Sequence, residues 1–273
     1  MKKLIAVLLS IVMIIGATMS FTSCGETNES DWATIEERGY FVCGITVYEP
    51  MNYFNADGDL VGFDTEFAAA VAEYLGVEAK FQVIKWPSKY LELNSGSIDL
   101  IWNGYTYGSE DGISRTEYVD FTYSYLKNEQ CVVVRSDSSV TTGAALAGLT
   151  AAVEGGSSGE SVAKDFTTEA KLVKFDSQAA ALTELAANQV DFAVIDYQMA
   201  KSMVGSGDYA NLKILTADDI DIEPEVYAIG ARKGSDLTAK INEAIVALSE
   251  NGKLAEIAAK YGLEYDLIPN IGK

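Results

Sequence analysis

Ile98 to Arg115 reads IDLIWNGYTYGSEDGISR. Asp99 opens the stretch, the apolar run Leu100-Ile101-Trp102 follows, and Asn103-Gly104 breaks that run into a polar, aromatic loop. A short apolar run bounded by polar residues predicts a strand buried on both faces. The loop after Asn103 then sits at the carboxyl end of a parallel strand, where ligands bind in open α/β sheets. An ordinary strand-to-helix loop reads the same way, so the flanking sequence decides.

Toward the N-terminus, Ser30 or Asp31 can cap a short helix through Arg38, stopped by Gly39. Tyr40 to Thr46 (YFVCGIT) predicts a strand. Asp64 is placed to cap a helix whose apolar face holds Phe67, Val71 and Tyr74 or Leu75, with Gly76 ending it. Val77 to Ile84 alternates as a strand, and Ser88 caps a short helix to Asn94. Strand, helix, strand, helix, strand is the grammar of a parallel sheet with right-handed crossovers.

Beyond Arg115 the pattern restarts. Gln130 to Val134 predicts a buried strand and Leu149 to Val153 another. Glu154 to Glu160 (EGGSSGE) is a turn into a helix. Leu172 to Phe175 predicts a strand, Ser177 caps a helix through Ala187, and Val190 to Ile195 predicts a strand. Leu212 to Leu215 and Glu225 to Ala231 read as two more, and the C-terminus from Leu237 to Tyr261 is helical. The unit Ser88-helix-Ile98-Asp99-strand-Gly104-Tyr105 thus recurs as Ser177-helix-Val190-Asp191-strand-Asp196-Tyr197. Counting from the aspartates makes Gly104 and Asp196 equivalent strand ends and argues for two similar α/β lobes.

Composition narrows the function. The 273 residues include 20 basic and 40 acidic ones, a net charge of −20. Nucleic acid and anionic membrane surfaces are repelled by such a surface. There is no histidine, which removes His-based triads and most zinc sites. Cys24, Cys43 and Cys131 fit no metal motif, and Cys43 and Cys131 read as buried thiols in strands rather than a disulfide. No nucleotide motif occurs, and neither cofactor nor metal is expected.

Met1-Lys2-Lys3 followed by the apolar Leu4 to Ile15 and by Phe21-Thr22-Ser23-Cys24 reads as a secretory signal, residues 1–23. The apolar run is short for a membrane span. The segment resembles the bacterial lipoprotein signal, in which the cysteine, here Cys24, is lipidated, although Phe21 stands where an aliphatic residue is usual. Residues 24–29 would then be a tether, and the mature chain would keep 18 basic residues against 40 acidic.

A series of stretches spans nearly the whole mature chain. They are Glu37-Arg38-Gly39-Tyr40-Phe41-Val42-Cys43-Gly44, Leu60-Val61-Gly62-Phe63-Asp64, Asn94-Ser95-Gly96-Ser97-Ile98-Asp99, Tyr118-Val119-Asp120-Phe121-Thr122 and Asn251-Gly252-Lys253-Leu254-Ala255 through Gly262. In order and spacing the series resembles the extracellular solute-binding proteins of amino-acid ABC importers. The resemblance implies a two-lobe periplasmic-binding-protein-like α/β fold, each lobe a mainly parallel sheet flanked by helices. Lobe 1 would hold residues 30–130 plus 228–273 and lobe 2 residues 131–227, with crossings near Cys131 to Val134 and Val226 to Ala231. It also implies a monomer that binds a small ligand between the lobes, delivers it to ABC permease subunits, and reaches the membrane through its lipid.

A free amino acid needs an acceptor for its ammonium, a cation or helix N-terminus for its carboxylate, and a shaped pocket for its side chain. By resemblance, Asp196 takes the ammonium, helped by the Gly104 carbonyl and the Thr106 hydroxyl; otherwise Asp196 caps the next helix. Ser157 and Ser158 offer backbone N–H groups to the carboxylate, or simply begin a helix. Arg115 is the bidentate clamp, but a four-residue insertion between Gly108 and Ser114 leaves two outcomes: the loop bulges and Arg115 reaches in, or the clamp is missing. Tyr48, Trp86, Tyr105 and, least of all, Tyr53 match aromatic ligand contacts, or are simply core. Thr46 stands where many members carry an aspartate. Glu154 stands where a neutral or basic residue is usual. Two other functions stay open: an enzyme resembling dehydratases of cyclic amino-acid precursors, with Glu154 as its acid or base, and a ligand-sensing domain.

Overall fold

The computed structural model describes residues 30–110 and 112–273. The expected secretory signal, lipidation at Cys24 and tether lie outside the described residues. Two five-stranded sheets carry the fold. In the first, Tyr40–Ile45 runs parallel to Glu78–Val83 on one side and to Leu100–Ile101 on the other. Gly230–Arg232 then adds antiparallel to Leu100–Ile101, and Val119–Phe121 closes the edge. The second sheet repeats this order. Ala151–Glu154 lies parallel between Leu172–Phe175 and Phe192–Asp196, Gln130–Arg135 is antiparallel to Phe192–Asp196, and Leu212–Ile214 closes the edge.

The central strands are apolar on both faces because helices cover them. Leu100, Ile101 and Trp102 are fully buried, as are Phe192 to Ile195. Phe67 of helix Phe63–Leu75 meets Trp102 edge-on at 5.2 Å and Tyr125 at 5.4 Å. The recurring aspartates perform one task twice. Asp99 accepts from the N–H of Val42, and Asp191 from that of Thr150, each tying its strand to the neighbouring parallel one. Cys43 and Cys131 are free, buried thiols.

Three expectations change. Asp64 does not cap its helix, which starts at Phe63 after Gly62. Its carboxylate instead accepts from the Gly104 N–H at 2.6 Å and the Tyr125 hydroxyl at 2.9 Å. A fully buried acid takes whatever donors the core offers, and these lie inward. Ser88 likewise makes no side-chain cap, whereas Ser30 and Ser177 do. Finally, Cys131 to Val134 is no crossing: it lies wholly within the second sheet. The chain passes between sheets at Leu126–Asn128 and Glu225–Tyr227, which pair antiparallel as a two-stranded ribbon. Glu225 to Ala231 therefore divides around Ala228 and Ile229, its two halves pairing with different partners.

Candidate functional site

The carboxyl ends of the two parallel sets face each other across a narrow cavity with about 10 Å³ of free space. One wall is Trp86, Asn103, Gly104, Thr106 and Arg115, all from the first sheet and its loops. The opposite wall is Glu154, Ser157, Ser158, Gln178 and Asp196, from the second. Eight sequence-predicted residues therefore come together. Tyr48 and Tyr105 lie outside the lining. The Tyr48 hydroxyl meets that of Tyr227 at 2.5 Å, and its ring packs behind Gly104. Gly104 has φ +56°, and a Cβ there would stand 2.7 Å from that ring, so this strand end requires glycine. Tyr105 is fully buried, stacked on Phe121 and edge-on to Trp86.

Arg115 reaches the cavity despite the longer loop. Ser109–Glu110 and Ile113–Ser114 fold into a small antiparallel hairpin, which leaves Arg115 as the first residue of a short 3₁₀ turn. Its guanidinium donates to the Thr106 carbonyl at 2.9 Å and to the Gly156 carbonyl at 3.4 Å, and lies 4.9 Å over the Tyr105 ring. Arg115 is 1% exposed, and its Nε has no hydrogen-bond partner.

The hairpin also introduces groups that the sequence did not single out. Glu110 pairs with Lys89 at 2.9 Å and approaches Arg115 at 3.7 Å. Lys89, behind the cavity lining, is fully buried and donates to the Gly156 carbonyl at 2.9 Å, so it and Arg115 both reach the turn that opens the second wall. Burial draws the Lys89 ammonium down to about 8, with Glu110 opposing. A Cβ on Gly156, at φ +71°, would stand 3.0 Å from Glu110 Oε1 and 3.1 Å from Lys89 Nζ. A fully buried lysine is rare enough that no sequence rule would have found it.

On the second wall Asp196 starts the helix Tyr197–Met203 but makes no cap bond to it. Its carboxylate accepts from the side-chain amides of Asn128 at 2.5 Å, Gln130 at 2.8 Å and Gln178, and Gln178 returns a bond by accepting the Asp196 N–H at 2.8 Å. Asn128 and Gln130 also donate to Glu225, as does the Thr106 hydroxyl at 2.9 Å. Burial, then the charge of Glu225, raises Asp196 to about 7. Glu154 is pushed to about 8 by burial, then by the charge of Asp196. Its Oε1 is buried without a partner. Ser157 caps its helix through the Glu160 N–H, leaving backbone N–H groups of that first turn as anion donors. Thr46, at the end of its strand, donates its hydroxyl to Asn103 at 2.7 Å. Asn103 and Gln178 are lining residues missed in the sequence. Asn103 was visible as the polar residue that ends the buried strand; Gln178 carried no signal.

Among the described residues, no group of three His, Cys, Asp or Glu could hold a metal, and no helix is long and apolar enough to cross a membrane. Residues 41–264 match the model of the bacterial extracellular solute-binding proteins, family 3. The chain belongs to this family. It is 28% identical to the arginine-binding extracellular protein ArtP of Bacillus subtilis, over 92% of this chain and 96% of ArtP. It is 28% identical to the L-cystine-binding protein TcyA of the same organism, over 96% of this chain and 97% of TcyA. Among solved structures, a substrate-binding protein of an ABC uptake transporter from Streptococcus pneumoniae, with bound histidine, superposes with a TM-score of 0.77 at 32% identity, covering 86% of this chain and 97% of that one.

Proposed function

We propose that the chain binds a free amino acid between its two sheets and delivers it to an ABC permease without transforming it. Arg115 takes the α-carboxylate together with the helix N-terminus at Ser157 and Ser158. Asp196 takes the α-ammonium with the Gly104 carbonyl and the Thr106 hydroxyl. The observation that carries this reading is the placement of Arg115 and Asp196 on opposite walls of one cavity, the separation of charges that a zwitterion presents. Relatives that bind arginine, cystine and histidine support it. The cavity's roughly 10 Å³ of free space is far below the roughly 300–1,000 Å³ of most small-molecule sites. A ligand therefore enters with the lobes apart, and closure about the ribbon Leu126–Asn128 and Glu225–Tyr227 surrounds it. We take the mature chain to be a monomer held at the membrane by lipid on Cys24.

Calorimetric titration against the twenty amino acids and cystine tests the reading. At least one should bind, and Arg115→Ala should abolish that binding in a protein that still melts cooperatively. Binding of none, or an unaltered affinity in the variant, rejects it. Turnover of a cyclic amino-acid precursor that is lost in Glu154→Gln would instead favour the dehydratase-like alternative.

A further inference from the structure

The cavity wall holds more acid than a plain zwitterion can neutralise. Arg115 is its one cation, while Glu154 and Asp196 are two carboxylates on the facing wall. The other nearby cation, Lys89, is committed to Glu110 at 2.9 Å and to the Gly156 carbonyl. A bound amino acid sets its α-carboxylate against Arg115 and its α-ammonium against one of the two acids. The second acid then remains, enclosed and without a counter-charge.

Glu154 and Asp196 differ in how they are held. Three side-chain amides converge on Asp196. Glu154 is 3% exposed, and its Oε1 accepts nothing. The Thr46 hydroxyl faces it across the cavity but donates to Asn103 at 2.7 Å, and Asp196, Lys89 and Arg115 act on it through their charge. A buried acceptor oxygen without a donor is costly unless something arrives to fill it. The strand register places it well for that role. Ala151 and Ala152 of its strand pair with Phe192 and Ala193, as Cys43 and Gly44 pair with Leu100 and Ile101 in the first sheet. Glu154 and Thr46 are therefore equivalent strand ends, one on each wall, with a hydroxyl on one side and a carboxylate on the other.

We propose that Glu154 selects the ligand's side chain: the amino acid carried by this protein is cationic, with a guanidinium, ammonium or imidazolium group received by Glu154. This rests on the amino-acid reading above. Such a side chain fills the open acceptor and supplies the counter-charge that Glu154 lacks. A neutral side chain leaves a carboxylate enclosed without a partner, or requires that it hold a proton.

Titration of the mature chain at pH 6, where arginine and lysine are cationic and free histidine is partly so, separates the two readings. The cationic probes are L-arginine, L-lysine and L-histidine; the neutral ones are L-citrulline, L-glutamine and L-cystine. One of the cations should bind roughly ten-fold or more tightly than every neutral probe, since a hydrogen bond between charged groups is stronger than one between neutral ones. In Glu154→Gln that margin should collapse. A neutral probe binding tightest, or a margin unchanged in Glu154→Gln, overturns the proposal and leaves the amino-acid reading standing. Binding of no amino acid overturns both. Should Glu154→Gln fail to fold, arginine against its near-isosteric neutral counterpart citrulline, measured in the natural chain, decides the matter.

Discussion

The two sheets share a strand order but differ in what stands at their carboxyl ends. Tyr40–Ile45 and Leu100–Ile101 end in Thr46 and Asn103-Gly104; Ala151–Glu154 and Phe192–Asp196 end in Glu154 and Asp196. The first lobe supplies neutral groups and, from its loop, a guanidinium. The second supplies two acids and a helix N-terminus. Equivalent scaffold positions thus carry opposite chemistry, and a ligand enclosed between them has only one favourable orientation. The aspartates at the opposite ends of the strands, Asp99 and Asp191, keep the same role in both lobes. Repetition fixes the scaffold, and divergence at the strand ends makes the site.

The sharpest break of this asymmetry is Asp196→Ala. It removes the ammonium acceptor and leaves three amides without their common partner, so amino-acid affinity should fall by roughly 100-fold or more, measured by calorimetry. The equivalent change Gly104→Ala should act differently. A Cβ there meets the Tyr48 and Tyr227 rings, so it should lower stability more than it alters ligand preference. Comparable loss of affinity with unchanged stability in both variants would dissolve the distinction.

A second test uses pH. Burial is the first cause that raises Asp64 to about 7, Asp196 to about 7 and Glu154 to about 8. Unfolded carboxylates ionise near pH 4. Between these limits the folded protein retains protons that the unfolded chain has released, so stability is greatest below pH 4 for these groups and is lost as pH rises through 7 to 8. The melting temperature of the ligand-free protein should therefore fall between pH 5 and 9. A saturating cationic ligand should flatten the share due to Asp196 and Glu154, and Asp64→Asn should remove the share due to the first lobe. A melting temperature that is flat or rising across this window contradicts the assignment.

The smallest effect concerns the shared aspartates. Asp191 is exposed and ties one N–H, so Asp191→Ala should cost about 1 kcal/mol in urea unfolding. Asp99 also pairs with Arg38 and Arg232, so Asp99→Ala should cost about 2–3 kcal/mol. Equal losses would mean that the ion pairs contribute nothing beyond the shared bond.

Much of this was legible in the sequence because period and punctuation are local. The buried runs at Leu100 and Phe192, their leading aspartates and the glycine at 104 announced two α/β units. The resemblance placed Arg115, Glu154 and Asp196, which the structure brings to one cavity. What stayed hidden depends on distant partners. Glu225 to Ala231 has one apolar pattern but two pairing partners, and nothing in its own residues marks the change at Ala228. Asp64 satisfies the rule for a helix cap, and only the three-dimensional position of Gly104 and Tyr125 redirects it. Lys89 looks like a surface lysine until Glu110, twenty-one residues later, folds over it. The rings of Tyr48 and Tyr105 shape the cavity by supporting Gly104 and Arg115 from behind.

The ribbon that joins the lobes has a further consequence. Glu225 lies on one of its strands and Asn128 on the other, and both belong to the network that holds Asp196. Tyr227, at the far end of the same strand, touches the Tyr48 hydroxyl. If the lobes close about this ribbon, as proposed, the axle of the machine is also part of its sensor. A substitution chosen to retune affinity at this network would shift the resting angle of the lobes, and one chosen to stiffen the axle would rewrite the electrostatics that the ligand meets. Converting this protein into a reporter would therefore succeed best with a dye placed away from the ribbon, on the rim of either lobe, where the swing is widest and the chemistry is untouched.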